Sequence, residues 1–160
     1  MRSTHKSLSC LAGVLLLAAV ASAQSAKFSA TLSGGNAAPA VDTAAQGTAT
    51  FQLSANGRSL RYRISVVNLE NATMAHIHLG AAGENGPIAV WLYPAHPPAS
   101  LKAGKFTGVL ASGTITAANL AGSLKGKTIA DLVHEIKSGN AYVNVHTKAH
   151  PGGEIRGQIH

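Results

Sequence analysis

Cysteine, aromatic side chains and acidic residues are all scarce in this sequence, and each shortage excludes something. The single cysteine, Cys10, lies in an apolar N-terminal segment. A chain that loses that segment has no disulfide, no thiolate metal ligand and no cysteine nucleophile. Aromatics make up 4% of the residues, too few for a platform on which nucleic-acid bases stack. Asp and Glu together number 6, and no two of them suggest the carboxylate pair of a glycosidase. Charged residues total 12%, which argues against a disordered polyelectrolyte or a coiled coil. G-x-S-x-G and H-E-x-x-H are both missing, so a hydrolytic enzyme is disfavoured.

What is present is a Gly-punctuated, aliphatic domain. The length of 160 residues suits one domain, and 46% hydrophobic residues suffice for a core. Arg2, His5 and Lys6 precede an apolar run, Cys10–Val20, and then Ala21-Ser22-Ala23. This order predicts a secretory signal over residues 1–23, a domain over 24–160, and a secreted or periplasmic protein. The run is too short to span a bilayer comfortably, and no membrane span is expected after cleavage. A lipid-anchor signal would place the cysteine after the apolar run rather than at its start. Removing 1–23 takes away Arg2 and Lys6 and leaves 11 basic against 6 acidic residues, a net of +5. The remaining cations, Arg58, Arg61, Arg63, Lys102, Lys105, Lys125 and Lys127 among them, form no run. They read as solvated surface, with no nucleic acid as partner. A mildly positive field can still attract small anions.

The mature sequence alternates as strands do. Lys27–Ser33, Gly47–Ser54 and Ser59–Asn68 each set apolar against polar residues with period two. Asn56-Gly57 marks a hairpin turn between the second and third. Met74–Leu79, Ile88–Tyr93, Lys105–Thr116, Ala141–His146 and Glu154–Ile159 are further strand-like runs. Ala37–Gln46 reads as a loop. Gly80–Pro87 is a turn-rich link between two strands, so its glycines make a weak case for a phosphate cradle. Thr128–Lys137 instead spaces Ile129, Leu132, Val133 and Ile136 as an amphipathic helix, capped by Thr128 and ended by Gly139-Asn140. Thr116–Leu120 suggests a further helical turn capped by Thr116. About eight strands and one short helix predict an all-β, Greek-key antiparallel sandwich or barrel.

Eight histidines are many for so few other charges, and their positions are informative. His76 and His78 flank Ile77 in a strand, so both imidazoles leave the same face with Cβ atoms about 7 Å apart. His146 ends a later strand that the fold can bring alongside. Three imidazoles without a thiolate suit copper, with zinc possible; calcium would require oxygen ligands. The alternative is a set of hydrogen-bonded structural histidines. His150 follows in a turn, as an additional ligand or a solvated side chain. Asn144 shares a face with His146 and is placed to orient an imidazole from behind. His96 and His134 read as surface, and His160 as frayed. Glu154 and Arg156 alternate on the last strand and are expected to pair with each other or with a neighbour.

Ala75–Pro87 (AHIHLGAAGENGP), Thr116–Gly122 (TAANLAG) and Gly139–Gln158 (GNAYVNVHTKAHPGGEIRGQ) together resemble the CHRD domain, named after chordin and common in bacterial exported proteins. The resemblance runs from Phe28 to Ile159 and implies an extracellular module with a possible extracellular protein partner. The cysteine-rich repeats that accompany the domain in chordin have no counterpart here, so growth-factor antagonism is not carried over.

The order H-x-H in a strand, a turn-rich loop and a late strand ending in His also looks like the copper half of copper/zinc superoxide dismutase. By that likeness His76, His78 and His146 match three copper ligands. The bridging histidine, the zinc loop and the disulfide cysteines have no counterpart, and Arg156 lies in a different motif (GEIRGQ) from a superoxide-guiding arginine. Three readings follow. The first is a non-catalytic copper-binding protein for storage, buffering or delivery. The second is a copper-only dismutase-like enzyme. The third is an interaction or matrix module with structural histidines.

Overall fold

The computed structural model describes residues 25–160; the expected signal segment lies outside them. One long strand organises the rest. Seven strands form in chain order: β1 (Lys27–Ser33), β2 (Gln46–Leu53), β3 (Ser59–Leu79), β4 (Ile88–Tyr93), β5 (Lys102–Thr116), β6 (Ala141–Thr147) and β7 (Ile155–Gln158). A single helix, α1 (Ile129–Lys137), and three short 3-10 turns complete the described residues. The pairings are antiparallel throughout. The first half of β3 bonds to β2 and β5, and its second half to β4 and β6. β7 bonds to β6 and to β1, which closes β1, β2, β3, β6 and β7 into a barrel. Closure removes the free edges of those five strands. The fold is the all-β antiparallel barrel that the alternation predicted.

The strand count differs in one place. Ser59–Asn68 and Met74–Leu79, read separately from the sequence, are the two ends of β3. Between them lie register shifts, and Asn68 and Asn71 adopt positive φ of 57° and 51°. Asparagine tolerates that left-handed conformation better than other residues with a Cβ. The strand bends through these two points instead of ending, so no turn-forming cluster was needed. The bend also changes the phase of burial. Buried apolar positions run Leu60, Tyr62, Ile64, Val66, then Leu69, Ala72, Ala75, Ile77. Past the irregular stretch that holds Leu69 and Ala72, the core side has moved from even numbers to odd, Ala75 and Ile77.

Phe28, Leu32, Phe51, Leu60, Ile64, Ile77, Val143, Val145 and Ile155 belong to one core. Helix α1 joins it through Ile129, Leu132, Val133 and Ile136, the face predicted for it. Thr128 caps it as expected: its hydroxyl accepts from the Asp131 N–H while the Asp131 carboxylate accepts from the Thr128 N–H. A 3-10 turn forms at Ala117–Asn119, with the Asn119 side chain accepting from the Thr116 N–H. The sequence suggested a frayed His160, and the structure corrects this. Its backbone N–H and carbonyl pair with Ser29, extending the seam between the chain's end and β1.

Candidate metal centre

The phase change in β3 creates the site. With Ala75 and Ile77 turned to the core, His76 and His78 point the other way, away from it. They do not meet solvent there. β6 is buried along its whole length, and on it Tyr142 and Asn144 stand opposite His78 and His76. His146 is opposite Met74, one step diagonal from His76 and within reach of it. Trp91 on β4 flanks His76 from the other side. The loop 80–87 and the turn 148–153 cover this layer.

His76, His78 and His146 each offer a ring nitrogen, and these atoms all lie within 4.8 Å of one another. Only 1%, 8% and 6% of the respective residue surfaces is exposed. Two carbonyls fix the ring tautomers. His78 Nδ1 lies 2.9 Å from the Gly86 carbonyl, and His146 Nδ1 lies 2.8 Å from that of Pro151. A carbonyl only accepts, so both Nδ1 atoms carry the proton and both Nε2 atoms present a lone pair. His76 Nδ1 sits 3.2 Å from His146 Nε2 and donates to it. His76 Nε2 and His78 Nε2 are buried with no hydrogen-bond partner.

Charge is disfavoured throughout the cluster. Burial, with His146 and His78 beside it, pushes the His76 imidazole down to about 3. Burial lowers His78 as well, more than its bond to Gly86 raises it. Burial likewise lowers His146, against the opposing pull of Pro151. All three are therefore neutral at neutral pH, the state in which imidazole ligates a metal.

The supporting groups were only partly anticipated. Asn144 touches no imidazole through a hydrogen bond. Its amide donates to the Gly152 carbonyl at 3.0 Å and so steadies the turn carrying Pro151. A Cβ on Gly153, where φ is +121°, would collide with that amide. Gly86 is as constrained: a Cβ there would strike the Leu79 carbonyl. Tyr142 stacks on His78 at 5.1 Å between centroids, and its hydroxyl accepts from the Gly86 N–H. The Arg156 guanidinium lies 3.5 Å over the outer face of Tyr142 and donates to the Ala81 carbonyl at 2.8 Å. The Trp91 ring stands edge-on to His76 at 4.3 Å. Tyr142 was legible from period two, being four residues before His146 on the same face. Trp91 and the two carbonyls left no such signal.

His150 lies outside the three-histidine group, in the turn, where its carbonyl accepts from Gly153. His96 and His134 are exposed, as expected. Glu154 and Arg156 do not pair with each other. Glu154 is buried and accepts from the hydroxyls of Thr43 and Thr147 at 2.7 and 2.6 Å, while Arg156 serves the loop 80–87. Among the described residues, no helix is long and apolar enough to cross a membrane.

The family model described as CHRD domain matches residues 28–159. Comparisons with curated proteins and with solved structures return no match.

Proposed function

We propose that this chain, which belongs to the CHRD domain family, is an exported copper-binding module whose His76, His78 and His146 hold one copper ion for storage, buffering or delivery. CHRD domains are typically extracellular, and the chain is an extracellular-type module. The observation that carries the copper reading is the convergence of three neutral, buried imidazoles, two of them, His76 and His78, with an Nε2 that has no hydrogen-bond partner. An unsatisfied buried acceptor costs about 1–3 kcal/mol. A bound cation removes that cost at His78 without requiring any group to be deprotonated.

The geometry suits an ion of transition-metal size. Two imidazole nitrogens held at metal–nitrogen distances of about 2.0–2.1 Å with a near-tetrahedral angle lie about 3.3 Å apart. His76 Nδ1 and His146 Nε2 are 3.2 Å apart, joined by a hydrogen bond in the metal-free protein; for both to ligate, the His76 proton would move to Nε2, which frees the Nδ1 lone pair. An all-imidazole donor set suits copper and zinc, and the Irving–Williams order favours Cu(II) over Zn(II). The Gly86 and Pro151 carbonyls hold the His78 and His146 rings in the tautomers that ligate, as outer partners do in established metal sites. When bound, copper would supply Lewis acidity and a one-electron couple. The chain's own part is to orient three lone pairs and exclude water from them. An arginine that steered an anion to the metal would favour the dismutase-like reading. Arg156 is instead stacked on Tyr142 and bonded to the loop.

The test is a titration of tag-free mature protein with Cu(I) and Cu(II) separately, each against a competing chelator, beside His78→Ala. One-to-one binding lost in a folded variant is expected. Equal, weak binding by both proteins would overturn the assignment and leave the histidines structural. If binding holds, superoxide turnover by the loaded protein separates an enzyme from a carrier. Zn(II) in the same titration decides between the two metals.

A further inference from the structure

The cations that look scattered in the sequence are gathered by strand register. Lys27 on β1 stands opposite Gln52 on β2, and Gln52 stands opposite Arg61 on β3. Two residues along, Ser29, Thr50 and Arg63 form the next rank. All six side chains are exposed on the outer face of the barrel. Lys27 and Arg61 are two strands apart, about 10 Å, and Arg61 and Arg63 are about 7 Å apart along one strand. These residues line a groove of about 610 Å³. A second groove of about 330 Å³ adjoins it, sharing Gln52 and Arg61 and adding Ser59 and Thr114. The result is a trough crossing four strands. The six acidic residues of the chain are Asp42, Glu70, Glu84, Asp131, Glu135 and Glu154, and none lines it.

We propose that this trough binds an acidic polysaccharide, with Lys27, Arg61 and Arg63 taking the carboxylates or sulfates of successive sugars and the Ser, Thr and Gln side chains taking their hydroxyls. Each alternative occupant lacks a needed feature. Single-stranded nucleic acid is held by exposed aromatic rings, and the aromatics here, Phe28, Phe51 and Tyr62, are buried beneath the trough. A lipid surface would be met by exposed apolar side chains. The large exposed ones among the described residues, Val67, Leu101 and Val109, do not line the trough. A single small anion would leave most of its length empty. Guanidinium groups pair bidentately with carboxylate and sulfate oxygens, and three cations with no acidic side chain in the lining concentrate a polyanion along the face. The surface lies on β1, β2, the first half of β3 and, at Thr114, β5, and shares no residue with the histidine cluster.

The experiment measures binding of the mature protein to immobilised polygalacturonate, with neutral dextran, single-stranded DNA and phosphatidylglycerol vesicles beside it. R61Q/R63Q is the test variant and K102Q/K105Q the charge-matched control, both checked for fold by circular dichroism. We expect polygalacturonate to be bound in preference to the other three. R61Q/R63Q should bind at least tenfold more weakly, with a reduced salt dependence because fewer counter-ions are released. K102Q/K105Q should stay close to wild type. The proposal is overturned if R61Q/R63Q binds as wild type does, or if K102Q/K105Q loses as much. It is overturned equally if DNA, the vesicles or dextran bind as tightly as the polyuronate.

Discussion

Acid should destabilise the metal-free protein, and three buried imidazoles say where and by how much. An unfolded chain exposes His76 with its ordinary value of 6.5, whereas in the folded protein burial and the two neighbouring rings hold it at about 3. Between those limits the unfolded state binds the extra proton, so stability is full above pH 6.5 and falls as the pH drops. At pH 5 the folded imidazole is still neutral and the unfolded one almost wholly protonated, so His76 alone removes about 2 kcal/mol. By pH 3 the same linkage removes roughly 4–5 kcal/mol. His78 and His146 are lowered too and add in the same direction. Against a total stability of about 5–15 kcal/mol, that is a large share. Urea denaturation of chelator-treated protein, followed by circular dichroism at pH 7.5, 6 and 5, measures it. The midpoint should fall steadily with an unchanged m-value, and His76→Gln should flatten the slope by about one proton. Equal stability at pH 7.5 and 5, or an unchanged slope in His76→Gln, would refute the reasoning. Copper loading should push the loss to lower pH, because protons must then compete with the metal.

Other substitutions probe separate links. Arg156→Met removes the donor that ties Ala81 to the last strand; copper affinity should fall about 10–100-fold through the loosened Gly86–His78 bond, read in the chelator competition. Gly153→Ala forces a methyl into the Asn144 amide and should weaken the same affinity while also lowering the thermal midpoint. Asn71→Gly keeps the positive φ but loses the amide oxygen that accepts from the Gly104 N–H and should cost about 1 kcal/mol, whereas Asn71→Val also places a β-branched residue at φ 51° and should cost about 1–2 kcal/mol more in urea. Leu132→Ala empties a fully buried site between α1 and the barrel and should cost about 2–5 kcal/mol by the same assay.

The sequence carried the elements better than their connections. Period-two alternation marked β1, β2 and the first half of β3 because each has one wet face. Spacing of 3.6 marked α1, since only one of its faces reaches the core. The continuity of β3 was hidden because its middle, Leu69–Thr73, follows neither period. Barrel closure was hidden for a different reason: its β1–β7 seam joins opposite ends of the chain, and no local pattern encodes a partner that far away. The cationic trough was lost for the same cause. Lys27 and Arg61 share a rank only because β2 lies between them.

The histidines show how a local irregularity decides what a motif can do. H-x-H fixes that two rings share a face; it does not fix which face. Had the alternation of Leu60, Tyr62, Ile64 and Val66 continued unbroken along β3, positions 76 and 78 would have kept the core phase. Ala75 and Ile77 would then have turned outward. Two imidazoles would have faced a packed apolar interior, each with a ring nitrogen to satisfy there and no carbonyl from a loop to meet it. The shift through Asn68 and Asn71 moves them instead into the layer between the sheet and its covering loops. There Gly86 and Pro151 supply acceptors, Tyr142 and Trp91 supply walls, and His146 arrives from β6. The same layer buries the rings, which keeps them neutral and leaves Nε2 of His76 and of His78 without a partner. Site and bend are thus one feature: left-handed conformations at two asparagines, eight and five residues before His76, turn the motif toward His146 and the Gly86 and Pro151 carbonyls and not toward the core.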